Sequence, residues 1–160
     1  MAVPNKKLIL YELNEVPIKL IELYSEIRPQ SNISYLLKKG NILNIASIYG
    51  KIQPKFEIYE KTSINPPTVY GPIKSAQIMI INYFSKIFAY RKNNIRCNTI
   101  SPGGVFGGQS KIFLNNYKSY CKNKGMISPS DLVGVANFLI SDDSSYITGQ
   151  DIQIDDGFSL

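Results

Sequence analysis

Apolar residues along the 160-residue chain fall into short continuous runs and into longer stretches with helical spacing. The runs at 41–47, 94–101 and 151–154 have the length and the isoleucine content of buried strands. Helical spacing covers about 68–90 and 128–141. From residue 40 onward, strands and helices therefore alternate, which predicts an α/β fold with a parallel sheet and flanking helices.

The predicted helix at 68–90 has two apolar stripes. One stripe comprises Ile73, Ala76, Ile80, Phe84 and Ile87, and the other comprises Ile78, Ile81 and Phe88. A helix that is apolar on two faces is usually covered on both. We therefore expect one face to meet the sheet and the other to meet a second copy of the chain, giving a homo-oligomer through residues 70–90.

The remaining segments are less regular. Residues 6–12 read as a short strand, and helical spacing follows at 17–27 and again up to Gly40. The proline-containing stretch 51–68 predicts a structureless loop, and loops of this length are often functional lids or insertions. Residues 105–127 are predicted to be irregular or loosely helical. Ser128 and Pro129 are typical of a helix start.

Composition excludes several classes of function. The chain has no histidine, which removes histidine-based triads and histidine metal ligands, and its two cysteines fit no zinc spacing. The net charge of +6 comes from scattered lysines, so no nucleic-acid partner is expected. No apolar run is long enough to span a membrane, and no signal peptide is evident. We expect a cytoplasmic protein without membrane contact or bound metal.

One pair of residues could move a proton. Tyr70 and Lys74 lie four apart at the start of the long predicted helix, so they share one helical face. A phenol beside an ammonium group can act as a general acid or base. The spacing alone is weak, because Tyr35/Lys39 and Tyr120/Lys124 share it. The surroundings of Tyr70 single it out.

Those surroundings resemble the second half of a short-chain dehydrogenase/reductase, over about residues 40–160. Before Tyr70, the run Gly40–Gly50 resembles the strand that delivers the family's catalytic serine. After it, Ile95–Gly104 resembles the strand and Pro-Gly loop beside the nicotinamide. The stretches 128–142 and 146–150 resemble the family's last helix and the approach to its last strand. All of these segments occur in the family's order.

This resemblance implies a Rossmann-like fold and assigns roles. Tyr70 would be the general acid/base, Lys74 would stabilise the phenolate and bind the nicotinamide ribose, and Ser47 would hydrogen-bond the reacting oxygen. Tyr70, Lys74, Pro102, Gly103 and Val105 would contact the cofactor, NAD or NADP. The substrate would be a small carbonyl or alcohol. The loop before Tyr70 is similar to that of sugar-nucleotide members, which suggests a sugar derivative.

The sequence also departs from the family. No segment resembles the glycine-rich turn that binds the dinucleotide pyrophosphate, so the front nucleotide-binding half is missing. Asp156 replaces a glycine of the usual Asp-Gly-Gly ending and adds charge. Residues 1–38 instead resemble the opening of alkaline-phosphatase-like phosphodiesterases, which predicts a segment of different origin. Two main hypotheses stay open: a truncated or rearranged oxidoreductase, or a non-catalytic fusion remnant. A metal-dependent phosphodiesterase is a third.

Overall fold

The computed structural model describes residues 39–160, and these residues form a three-stranded parallel sheet. Strand β1 (Lys39–Ile45) pairs with β2 (Asn94–Pro102), which pairs with β3 (Asp151–Ile154). The sheet order is β1-β2-β3, and the predicted parallel α/β fold is confirmed. The strand and helices predicted before residue 39 lie outside the described residues.

Helices connect the strands and cover both faces of the sheet. Helix α1 (Tyr70–Tyr90) links β1 to β2, whereas α2 (Lys111–Lys118) and α3 (Val133–Ile140) lie between β2 and β3. Side chains alternate along a strand, so each face has its own apolar cluster. Phe88 of α1 packs with Ile95 and Cys97 on one face. Leu139 of α3 packs with Leu43 and Ile100 on the other.

Two segments are more ordered than the sequence predicts. The loop 51–69 contains a 3₁₀ turn at Phe56–Tyr59, and its Ile58 is fully buried. The segment 105–127 contains α2, whose first turn is capped because the Ser110 hydroxyl accepts the Phe113 N–H at 3.3 Å. Both join a third apolar cluster, which comprises Ile48, Ile58, Phe113, Tyr117 and Phe158. The prolines of 51–68 and the polar residues of 105–127 predicted irregular structure. Both segments are nevertheless ordered, because they bury apolar side chains in this cluster of residues distant in sequence.

Within residues 39–160, helix α1 has one covered face and one exposed face. Phe88 is buried, and its ring stacks on that of Phe84 with centroids 6.2 Å apart. The assignment of Phe84 to the stripe of Ile73 and Ile80 was therefore wrong, because its ring lies with the sheet-facing residues. Ile73 and Ile80 are 54% and 47% exposed, which leaves an apolar surface on the outer side of the helix.

Cys97 and Cys121 are both free thiols. Burial raises the pKa of Cys97 to about 12 and is the main reason that the pKa of Cys121 rises to about 11. Both groups are therefore thiols rather than thiolates at neutral pH. Within residues 39–160, no helix has the length and apolar content required to cross a membrane.

Candidate active site

Tyr70 and Lys74 stand together at the start of α1. Tyr70 is the first residue of the helix, and Lys74 lies one turn further on. The Lys74 ammonium is 5.4 Å from the centroid of the Tyr70 ring and donates a hydrogen bond to the Ile45 carbonyl at 3.4 Å. The Tyr70 side chain is 40% exposed, so its phenol is accessible to a small molecule. The helix thus presents a proton donor beside a fixed cation.

Ser47 lies just beyond the carboxyl end of β1, where the chain turns. Its side chain is 8% exposed, and its hydroxyl oxygen accepts the Tyr49 N–H at 3.2 Å, which caps the 3₁₀ turn Ile48–Gly50. The first turns of α1 contact the chain on both sides of Ser47. Lys74 reaches the carbonyl of Ile45 before it, and Gly71 packs on the carbonyl of Tyr49 after it.

This close approach requires glycine on both partners. A Cβ atom on Gly71 would lie 2.8 Å from the Tyr49 carbonyl oxygen, and one on Gly50 would lie 2.9 Å from the backbone carbon of Lys74. Neither distance is compatible with an unstrained side chain, and backbone atoms cannot move aside cheaply. The two glycines therefore allow the helix that carries Tyr70 and Lys74 to approach the Ser47 turn.

The Pro-Gly segment lies at the same edge of the sheet. Parallel strands end at a common edge, and the Ala46 N–H bonds the Ile100 carbonyl at 2.8 Å, which joins the end of β1 to β2. Pro102 is the buried last residue of β2, and the Gly103 N–H donates to the Ile154 carbonyl at 2.8 Å. Val105 forms a parallel bridge with Ile127. All the residues predicted for the site therefore lie at the carboxyl ends of two neighbouring strands, just after them, or in the first turns of the helix between them.

Three tyrosines support this edge and were missed in the sequence. The Tyr49 and Tyr59 hydroxyls share a hydrogen bond of 2.9 Å, which ties the loop 51–69 to the turn after Ser47. The Tyr117 hydroxyl accepts the Gly104 N–H at 2.6 Å and so holds the Pro-Gly segment. Burial is the main cause that raises the pKa of Tyr49 and of Tyr117, so both phenols stay neutral at neutral pH. No local pattern distinguished them among the chain's eleven tyrosines.

A polar network links the Ser47 turn to the last strand. The Lys51 ammonium lies 3.0 Å from the Asp151 carboxylate, and the Ser101 hydroxyl donates to the same carboxylate at 2.6 Å. The end of this 3₁₀ turn, β2 and β3 thereby converge, because Lys51 directly follows the 3₁₀ turn that Ser47 caps. Only the tertiary structure shows this network, since Lys51, Ser101 and Asp151 are distant from one another in the sequence. Among residues 39–160, no group of three potential metal ligands occurs.

The carboxylate of Asp156 is stabilised by hydrogen bonds from backbone N–H groups. Its carboxylate accepts the N–H groups of Asn123 and Gly125, at 3.1 and 2.8 Å, and also that of Lys124. Its carbonyl accepts the Lys122 N–H at 2.7 Å. These backbone hydrogen bonds, that of Gly125 first, lower the pKa of Asp156. A glycine at this position could not provide the carboxylate, so the Asp156 side chain acts as an anchor for residues 123–125.

We expect Asp156→Asn to loosen residues 123–125. The amide oxygen carries no charge and is a weaker acceptor for three N–H groups. Amide hydrogen exchange should accelerate at residues 123–125 and stay unchanged in β2. A depressed carboxyl pKa stabilises the folded state above the ordinary carboxyl range, and the effect is lost as the pH falls through the lowered value. The native loop should therefore stay protected in mild acid, and equal exchange in both proteins would contradict the anchor.

Comparison with known proteins identifies the family of this arrangement. The family model described as enoyl-(acyl carrier protein) reductase matches residues 21–159, so the chain belongs to the short-chain dehydrogenase/reductase family. The match begins within the segment 1–38. The resemblance of that segment to phosphodiesterases has no support in these comparisons.

Individual relatives support this family assignment. Post-translational flagellin modification protein A of Campylobacter coli is 41% identical over 123 residues, which are 76% of this chain and 46% of that protein. For 7alpha-hydroxysteroid dehydrogenase of Bacteroides fragilis, the identity is 32% over 126 residues, with 76% and 44% covered. A short chain dehydrogenase from Leptospira borgpetersenii with bound NAD+ has a TM-score of 0.72 at 39% identity, covering 88% of this chain and 49% of that one. The chain thus spans about half the length of the curated relatives it matches.

Proposed function

We propose that the chain is the catalytic half of an NAD(P)-dependent oxidoreductase that interconverts a small carbonyl compound and its alcohol. The observation that carries the proposal is the placement of Lys74 between the Tyr70 ring and the Ile45 carbonyl, next to the Ser47 turn. The family and the NAD-bound Leptospira structure support nicotinamide chemistry. The choice between NAD and NADP stays open in the proposal.

The residues fit one end of such a cofactor. An ammonium donor on Lys74 suits ribose hydroxyls, and Pro102, Gly103 and Val105 provide a backbone surface for the nicotinamide on the neighbouring strand end. When bound, the nicotinamide supplies or accepts the hydride. The sequence has no glycine-rich turn for the pyrophosphate, so these residues would hold only the reactive end.

The side chains would share the acid–base work. The accessible phenol of Tyr70 would give a proton to the oxygen of a carbonyl substrate, or take one from an alcohol. The Lys74 cation would stabilise the phenolate that results. The Ser47 hydroxyl, whose oxygen already accepts the Tyr49 N–H, keeps its proton free to donate to the same substrate oxygen.

The test of the proposal is a fluorescence titration of NADH and of NADPH with the purified chain, repeated with Lys74→Met. Binding that weakens in this variant would support a nicotinamide site at Lys74. Lys86→Met is the matched control, because Lys86 is exposed on the same helix. If neither nucleotide binds at millimolar concentration, the alternative holds, and the chain is a non-catalytic remnant of the family.

The substrate class is also part of the proposal. Two relatives are named for a hydroxysteroid and for glucose, and both compounds are alcohols. A small alcohol or carbonyl compound, and in particular a sugar derivative, is therefore the substrate to test first. Turnover of such a compound should require Tyr70.

We further propose that α1 joins two copies of the chain. Met79 and Tyr83 are 69% and 64% exposed and extend the apolar surface of Ile73 and Ile80. An exposed patch of this kind is typical of an interface. Replacing Ile80 with Glu should convert the oligomer to monomer in sedimentation equilibrium, because the carboxylate would be desolvated at the contact. Tyr146→Glu is the control, since Tyr146 is fully exposed and lies outside α1. An unchanged mass for Ile80→Glu would refute this interface.

A further inference from the structure

A small cavity lies between α2 and the loop that Asp156 anchors. It has a volume of about 250 Å³, and its lining combines apolar Phe106, Leu114 and Met126 with polar Asn115, Lys118 and Lys124. Ligand sites usually pair an apolar surface with a few polar groups, in volumes of roughly 300–1,000 Å³. This cavity is slightly smaller, so it suits one group of a ligand or a fragment-sized molecule.

The walls of the cavity are held in place. Gly125 has a φ of +94°, a backbone conformation that favours glycine. The side-chain stem of Lys118 packs close to it and would lie 3.4 Å from a Cβ atom placed on Gly125. The carboxylate of Asp156 holds the N–H groups of residues 123–125, which fixes the loop side. On the other side, the Phe106 N–H donates to the Ile127 carbonyl at 2.8 Å. The cavity therefore borders the segment that follows Pro102 and Gly103.

The charge of the lining has one sign. Lys118 and Lys124 line the cavity, and no carboxylate does. Within residues 39–160, neither lysine forms an ion pair with a carboxylate. Asp156 attracts Lys124 at longer range, but its carboxylate already accepts three backbone N–H groups. A concave surface with positive charge and low-dielectric walls concentrates anions.

We propose that this cavity binds the acidic group of a small, partly apolar molecule. Lys118 and Lys124 would contact a carboxylate or phosphate, while Phe106, Leu114 and Met126 would cover the adjoining apolar part. The site does not depend on hydride transfer. If the oxidoreductase proposal also holds, the position beside the Pro-Gly segment makes an acidic alcohol or carbonyl compound the natural substrate.

Methyl NMR of methionine tests the site without any turnover. The chain has three methionines, of which Met126 lines the cavity and Met79 is 69% exposed on α1 as an internal reference. Benzoate, phenyl phosphate and benzyl alcohol are titrated into the full chain. A bound phenyl ring shifts the Met126 methyl signal by its ring current. We expect both anions, or one of them, to shift Met126 at lower concentration than the alcohol, with Met79 unchanged.

Lysine variants then test the charge. Lys118→Gln should weaken binding of the anion about three- to tenfold, because one charge-assisted contact is lost. The matched control is Lys111→Gln, which removes the same charge from the exposed first residue of α2 and should leave binding unchanged. A response to phenyl phosphate alone would assign the site to phosphates, and a response to benzoate alone would assign it to carboxylates.

Other results would overturn the proposal. Equal binding of benzyl alcohol would show that the lysines do not select an anion, and a Met126 signal unmoved by every probe would show that the cavity is not a binding site. If Lys111→Gln weakened anion binding as much as Lys118→Gln, the loss would come from the lower net charge of the protein and not from a contact in the cavity. Native amide-exchange protection in β2 would show that each variant is folded. None of these results depends on nicotinamide binding, so failure here is distinguishable from failure of the proposed function.

Discussion

Replacing Tyr70 with Phe is expected to lower the rate of hydride transfer by about 10²- to 10⁴-fold, the usual contribution of a positioned acid or base. The substitution removes only the hydroxyl, and the first turn of α1 and the glycine contact with Tyr49 should persist. The rate is measured by absorbance of the reduced nicotinamide with a substrate that the native chain turns over. The loss in rate should far exceed any change in cofactor affinity.

Tyr90→Phe provides the matched control for this experiment. Tyr90 is the last residue of the same helix and is 89% exposed, so loss of its hydroxyl should leave the rate unchanged. A Tyr70→Phe chain that retains the native rate would remove Tyr70 from the proton-transfer step. If the native chain neither turns over a substrate nor binds the cofactor, the non-catalytic alternative would be supported instead.

Phe158→Ala is expected to reduce the free energy of unfolding by about 3–5 kcal/mol, which is the usual cost of truncating a buried phenylalanine. Phe158 is 0% exposed, and its ring stacks on Tyr117 with centroids 4.3 Å apart. The same ring meets the edge of Tyr120 at 6.0 Å. Because Tyr117 holds Gly104, the cavity left by Phe158 should also disturb the Pro-Gly segment. Urea unfolding followed by circular dichroism measures the loss.

The control for this truncation is Phe56→Ala. Phe56 is 66% exposed and begins the 3₁₀ turn Phe56–Tyr59, so its removal should change the unfolding free energy by no more than about 0.5 kcal/mol. A cost below about 1 kcal/mol for Phe158→Ala would mean that the aromatic cluster does not stabilise the fold. A Phe158→Ala chain that does not fold at all would agree with the large expected loss.

The proximity of Tyr70 and Lys74 follows from sequence, because four residues make one turn of a helix and helical spacing continues to Tyr90. Their relation to Ser47 was predicted only through the family resemblance. The spacing of Tyr120 and Lys124 is identical, yet these residues follow the end of α2 and do not share a helix. Two residues four apart in sequence share one face only when the backbone is helical over both positions.

The supporting residues could not be predicted from local pattern. Most of the residues between Tyr49 and Tyr59 belong to the stretch 51–68, which the sequence predicted as a structureless loop. The two hydroxyls form a hydrogen bond because Ile58 is buried against α2. Asp156 looked like an added surface charge, although a turn with φ of +53° directs its carboxylate onto residues 123–125. Hydrogen bonds between distant segments depend on how the elements pack, which no short window of sequence contains.

The sequence by itself determined the order of the three strands and of α1 and α3, the parallel class of the sheet and the helical pairing of Tyr70 with Lys74. These features follow from residue periodicity, which acts over a few positions. Only the tertiary structure decided which face of α1 is covered, how Lys74 reaches the strand before Ser47, and where Lys118 and Lys124 line a cavity. Such features arise because burial of Ile58 and Phe158 brings α2, the loop 51–69 and the C-terminal turn into one apolar cluster.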